Sequence, residues 1–245
     1  MVDLPLVIVS ALAIFVAALV QGLTGFGFVM LAAPIMTAFI EPRVVVPVMM
    51  METVVLNVAI LIHARRWLNI RRVWVLLLSG ASATPLGAYL LVALDPAVLR
   101  VAIGVVVGAT ALMMLAGHSR TFVREKLASV PVGAASGLLN SSTGLAGPPV
   151  VLFFANQGVD PREFRANIVA HFTVLNIATL PVFVVSGVFT RDTVLFGLAV
   201  LPAAVVGVAA GIALARWVSP ALFLRLALVL VIFAGAGSIA AGLVL

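Results

Sequence analysis

The chain is a succession of apolar runs about as long as a bilayer is thick, and that restricts it to helices that cross or enter a membrane. Residues 44–62, 73–94, 97–117, 164–187, 194–215 and 221–243 each approach the ~20 residues that a helix rising 1.5 Å per residue needs to cross ~30 Å of hydrocarbon. Only 9% of the 245 residues are charged, against roughly a quarter in soluble proteins. The net charge of +6 would suggest nucleic acid in a soluble chain, but here the basic residues cluster between apolar runs. That pattern orients a membrane protein and implies no nucleic-acid partner.

The cluster HARRWLNIRR, residues His63 to Arg72, is the strongest topological marker. By the positive-inside rule it is cytoplasmic, as are Arg120, Arg124 and Lys126, then Arg162 and Arg165, then Arg216. Ten basic residues fall inside by this reading, against Arg43, Arg100 and Arg191 outside. Both termini come out on the outer face. Trp67 and Trp74 suit an interfacial belt, and His63 and His118 lie in the solvated basic loops. Arg225 enters the last run, where it could snorkel to headgroups or attract substrate at an inner vestibule. No basic stretch precedes the first apolar run, which carries Asp3, so a cleaved signal peptide is not expected.

Two polar, glycine-rich stretches interrupt this pattern. Residues 4–20 and 28–39 flank QGLTGFG, residues Gln21 to Gly27; residues 130–139 and 148–157 flank NSSTGLAG, residues Asn140 to Gly147. Glycine weakens a helix interior by about 1 kcal/mol relative to alanine, and irregular backbone at membrane depth persists only when buried in protein or lining a wet cavity. The runs at 130–139 and 148–157 each reach roughly 15 Å, too short to span. A re-entrant hairpin turning near the midplane is therefore expected at the second break. At the first break, re-entrant and fully spanning arms both remain open, because residues 4–20 are long enough to cross.

A shift of 119 residues superimposes the two breaks: Gln21 falls on Asn140, Thr24-Gly25 on Thr143-Gly144, Glu41-Pro42-Arg43 on Asp160-Pro161-Arg162, and Leu56-Asn57 on Leu175-Asn176. After a gap of about five residues Asp95-Pro96 matches Ser219-Pro220. The expected fold is an all-α integral membrane protein of two inverted-topology repeats, residues 1–126 and 127–245. Each repeat is a broken helical hairpin, re-entrant or spanning, followed by three transmembrane helices. Such repeats recur in secondary transporters, with substrate near the midplane between discontinuous helices.

These features, the two breaks, the Gly-Pro-Pro after the second and the repeat over the whole chain, resemble the sulfite exporter family, also called TauE/SafE-like. The resemblance implies a permease of the bacterial inner membrane for small sulfur-containing anions such as sulfite or organosulfonates.

Half-helices beginning near Phe26 and Leu145 would aim their N-terminal amides at the membrane centre, where they attract anions. Gln21, Thr24, Gly25, Gly27, Asn57, Asn140, Ser141, Ser142, Thr143, Gly144 and Asn176 are the candidate substrate-binding residues. Interhelical hydrogen bonding is the competing role for such polar residues in membranes. Glu52 and His171 share the 119-residue offset, and ionisable groups at membrane depth are functional candidates by default. They are proton-coupling candidates, with a satisfied interior position as the alternative.

Cysteine is absent, which excludes disulfides, thiol catalysis and thiolate metal sites. Met49, Met50 and Met51 read as packing rather than metal ligands. With no P-loop, zinc motif or nucleophile beside a base, neither enzyme activity nor a cofactor nor a metal is expected. The expected partners are a small anion and the bilayer; a homo-oligomer is compatible with the sequence. The nearest rival function is a passive anion channel of the same architecture.

Overall fold

A computed structural model describes residues 4–115, 124–155, 157–214, 217 and 220–244. His118, Arg120, Arg216 and Ser219 lie outside the described residues, as do the side chains of His63 and Arg225. The described residues form helices only: α1 (Leu4–Thr24), α2 (Phe28–Thr37), α3 (Pro42–Ala64), a 3-10 turn (Arg65–Trp67), α4 (Ile70–Ala93), α5 (Pro96–Leu115), α6 (Glu125–Thr143), α7 (Gly147–Ala155), α8 (Pro161–Val185), α9 (Arg191–Leu214) and α10 (Pro220–Val244). Among them, six are long and apolar enough to cross a membrane: α1, α3, α4, α5, α8 and α9. The chain is a multi-pass membrane protein. Prolines open α3, α5, α8 and α10, where the missing N–H is one that a helix start leaves unpaired anyway.

Helix α6 corrects the expectation of a short run at 130–139. It extends over 19 residues, about 28 Å at 1.5 Å per residue. The polar residues do not break it, because each folds its hydroxyl back onto its own helix. Ser141 donates to the carbonyl of Gly137, Ser142 to Leu138 and Thr143 to Leu139, at 2.8–2.9 Å. Thr24 does the same to Val20 at 2.9 Å, and α1 likewise continues past Gln21. The breaks shrink to Gly25-Phe26-Gly27 and Gly144-Leu145-Ala146. Gly25, Gly27 and Gly144 have φ of +89°, +98° and +79°, the left-handed region in which a Cβ would strain. At both breaks the glycine N–H returns to the carbonyl four residues back, Gly25 to Gln21 at 2.7 Å and Gly144 to Asn140 at 2.8 Å. Left-handed glycine, not polarity, ends these helices.

The main helix pairs are α1 with α9, α4 with α6, α5 with α10 and α3 with α8. The first three approach at glycine. A Cβ on Gly22 would lie 2.5 Å from the carbonyl oxygen of Val208, and Gly211 packs against the carbonyl of Leu19. Gly137 sits directly on Gly80, and Gly104 on Gly235. Small residues let backbones meet where lipid supplies no hydrophobic drive for association. The pairs 133/137 and 207/211 are glycines four apart, a sequence signal for close packing that hydropathy alone does not use.

Polar contacts tie the helix ends. Arg72 makes a fork with both carboxylate oxygens of Glu125 and reaches Glu163 at 3.5 Å. Asn69 donates its backbone N–H to Asn167 and its side chain to Glu163. The starts of α4, α6 and α8 thus share one end of the bundle. At other ends Arg43 donates to the carbonyls of Leu91, Val92 and Leu94, and Arg100 to that of Thr37 at 2.9 Å, which caps α4 and α2 with cations.

Candidate functional site

The two breaks meet. A Cβ on Gly144 would lie 3.0 Å from Cγ1 of Val29 in α2, and one narrow cavity of about 30 Å³ takes its wall from both breaks. The first half contributes Gln21, Gly27, Phe28, Val29, Met30, Met50 and Thr53; the second contributes Asn140, Gly144, Leu145, Ala146, Gly147, Phe172 and Asn176. No charged residue lines it. Gln21, Asn140 and Asn176 are each 2% exposed, so their amides face the cavity or the protein, not bulk solvent.

Five of the residues singled out in the sequence line this cavity: Gln21, Gly27, Asn140, Gly144 and Asn176. The others stand behind it. Asn57 is fully buried and accepts from Nε2 of Gln21 at 2.7 Å. Thr24 shares its one hydroxyl hydrogen between the carbonyls of Val20 and Phe26 and accepts from the Phe26 N–H, so it shapes the turn. Ser141 shares its hydroxyl hydrogen between the Gly137 carbonyl and that of Thr84 at 2.8 Å, which fastens α6 to α4. Ser142 and Thr143 bond within α6, and Gly25 packs against the Arg165 side chain. Thr53 and Phe172 line the cavity without having been singled out, and so does Met50, which the sequence gives only as packing. The spacing could have found them: Thr53 is three residues from Met50, and Phe172 four from Asn176, so each pair shares a helix face.

The helix ends at the cavity are unequal. Phe28, Val29 and Met30 open α2, and Gly27 makes no side-chain cap, so the N–H groups of this turn lack intrahelical partners. In α7 the corresponding turn is Gly147-Pro148-Pro149-Val150, and its prolines carry no N–H. This corrects the expectation of matching amide donors after both breaks. At the second break the side-chain amides that line the cavity are those of Asn140 and Asn176.

Glu52 and His171 lie outside the lining. Glu52 is 1% exposed and His171 fully buried. Oε2 of Glu52 and Nδ1 of His171 have no hydrogen-bond partner among the described residues. The Ser136 hydroxyl donates to the Ala146 carbonyl at 2.7 Å and lies 2.9 Å from Nε2 of His171. A hydroxyl has one hydrogen, and it is committed to Ala146. Nε2 of His171 must therefore carry a proton and donate it, leaving Nδ1 as a buried, open acceptor. Ser136 links His171 to the cavity wall at Ala146.

Among the described residues no three His, Asp or Glu converge as metal ligands. Met49 and Met50 are buried in the core, and Met51 packs against Gly197.

The family described as sulfite exporter TauE/SafE matches residues 10–238. No curated protein and no solved structure matches the chain.

Proposed function

The chain belongs to the sulfite exporter TauE/SafE family, and we propose that it is a secondary transporter for small sulfur-containing or organic anions, sulfite or organosulfonates, in the bacterial inner membrane. The observation that carries this reading is the single uncharged cavity shared by both breaks. The amides of the first α2 turn and the side chains of Gln21, Asn140 and Asn176 offer hydrogen-bond donors to an oxyanion. The positive end of the α2 dipole favours negative charge without a fixed cation. Binding by neutral donors suits release on the opposite side.

Inverted repeats, residues 1–126 and 127–245, are part of the proposal. Under the 119-residue offset α1 to α5 correspond to α6 to α10, and the pairing of α1 with α9 exchanges into that of α6 with α4. The pairings α3 with α8 and α5 with α10 join counterparts. A two-fold relation between the halves maps this pattern onto itself. The ends of α4, α6 and α8 that Arg72 ties together then form the cytoplasmic face, with both termini outside. Alternating access would move one break against the other around the cavity.

Glu52 and His171 are proposed to couple transport to protons, each carrying an unpartnered buried atom at matched positions of the two halves. The link His171–Ser136–Ala146 connects a protonation site to the cavity.

The test is counterflow of labelled sulfite into proteoliposomes preloaded with sulfite, thiosulfate, sulfoacetate or taurine. Saturable exchange supports a carrier; flux that rises linearly and shows no exchange supports a passive channel and ends the proposal. Loss of exchange in Gln21→Ala and Asn140→Ala variants that melt cooperatively supports the cavity as the substrate site, and wild-type rates in both refute it. Transport indifferent to an imposed pH gradient would remove the coupling.

A further inference from the structure

A second cavity, about 280 Å³, lies between α3, the 3-10 turn, α8 and α9 and shares no residue with the first; Ile60, Ala64, Trp67, Arg162, Arg165 and Ile212 line it. Its wall is apolar except for two guanidinium groups, and neither has a carboxylate partner among the described residues. The nearby acids are engaged elsewhere. Asp160 accepts from the backbone N–H of Arg162 at 2.9 Å, capping α8, and Glu163 bonds Arg72, Asn69 and Asn167. Arg162 lies over the Trp67 ring at 5.5 Å.

Arg165 reaches further. Its Nη2 donates to the Gly22 carbonyl at 3.1 Å, its aliphatic stem packs on Gly25, and its buried Nε has no partner. Gly22 belongs to the last turn of α1, whose carbonyls a helix leaves unpaired and whose dipole end is negative. The guanidinium therefore bridges the first break and the second cavity, with donors to spare.

We propose that this cavity is a second anion site, for an oxyanion headgroup carrying an apolar body. The planar fork of arginine matches the paired oxygens of a sulfonate or phosphate, and the Trp67, Ile60 and Ile212 surfaces cover the hydrocarbon part. That chemistry belongs both to a free alkanesulfonate and to a phospholipid headgroup. An anion here competes with the Gly22 carbonyl for Arg165, so occupancy loosens the clasp on the first break. The site does not depend on the transport reading, since binding is measured without flux.

The test uses the full chain in zwitterionic-lipid nanodiscs. The protein has three tryptophans, and Trp74→Phe with Trp217→Phe leaves Trp67 as the reporter. Titration with hexanesulfonate should change Trp67 fluorescence saturably, and sulfite, which has no tail to bury, should bind about tenfold more weakly or less. Arg165→Gln should weaken hexanesulfonate about tenfold or more. Ile212→Phe, which keeps both arginines and Trp67 as the one tryptophan and fills the space, should abolish the response, and it carries the test if Arg165→Gln fails to fold. Gln21→Ala and Asn140→Ala should leave this affinity unchanged. In discs containing phosphatidylglycerol, a shifted Trp67 signal and competition against hexanesulfonate identify a lipid headgroup as the occupant; unaltered binding identifies a soluble anion. Absence of a saturable response in both kinds of disc, wild-type affinity in Arg165→Gln, or loss of the response in the Gln21 and Asn140 variants would overturn the site.

Discussion

Replacing Gly137 by alanine tests whether close helix packing holds the second break in place. The new methyl would sit on the Gly80 carbonyl oxygen, with the Gly80 carbonyl carbon at 2.6 Å and Cα at 2.8 Å. All three neighbours are backbone, so no side chain can rotate away. α4 and α6 must part by about 1.5 Å to restore contact distances of ~3.5 Å to the Gly80 oxygen. Overpacking of this kind typically costs about 1–3 kcal/mol, and a rigid backbone on both sides places Gly137→Ala near the upper end. At about 2–4 °C per kcal/mol for a chain of this size, melting in detergent should fall by about 6–12 °C. Gly108→Ala is the control, because nothing lies within 4 Å of a Cβ there, and helix propensity favours alanine by about 1 kcal/mol. Melting should be followed by loss of monodisperse elution on heating. Equal melting temperatures for Gly137→Ala and Gly108→Ala would show that the α4–α6 contact is not as close as described.

Gln21→Ala removes the donor to the fully buried Asn57 and should cost about 1–3 kcal/mol, read as a lower melting temperature together with lost exchange. Ser136→Ala separates His171 from the Ala146 carbonyl; exchange flux should persist while its response to an imposed pH gradient disappears, whereas a purely structural serine would change melting alone. Gly144→Ala places a Cβ at φ +79° beside Val29 and should cost about 1–2 kcal/mol for the left-handed backbone plus the contact. Gly187→Ala, at φ +70° in open space, should show the backbone part only.

Hydropathy located the helices well, because lipid enforces it: residues 44–62 became Pro42–Ala64, and 73–94 became Ile70–Ala93. What hydropathy does not carry is neighbour identity. That α1 meets α9 and α4 meets α6 is set by glycines whose backbones touch, and Gly133, Gly137, Gly207 and Gly211 advertised it only through their spacing. The polar breaks were legible as interruptions of the helices but not as shapes. Serine and threonine hydroxyls can return to a carbonyl one turn back, so Asn140 to Thr143 continue a helix that composition alone would end. Arg165 misled in the opposite direction. Counted among the loop charges, it is half-buried against Gly22 and Gly25, because a long side chain at the start of α8 can reach a helix end that sequence distance hides.

The most informative difference between the halves is one methylene. Gln21 spans to Asn57 at 2.7 Å, but its counterpart Asn140 is shorter and makes no bond to Asn176. It reaches Thr179 instead, at 3.4 Å, where the first half has Ile60, and Oδ1 of Asn176 is left unpartnered in the cavity wall. Each half thus keeps one unpartnered buried amide atom, the donor Nδ2 of Asn57 in the first and the acceptor Oδ1 of Asn176 in the second. Asn140→Gln should extend the amide to Asn176 as Gln21 does to Asn57. A buried hydrogen bond so gained contributes about 1 kcal/mol, so melting should rise by about 2–4 °C while, under the proposed function, exchange falls, because the residue-140 amide then donates to Oδ1 of Asn176 instead of to an anion. Asn140→Ala should lower both. Stability and transport moving in opposite directions in the glutamine variant would separate a binding role from a bracing one. If Asn140→Gln left both unchanged, the open amide at Asn176 would not be part of the substrate site.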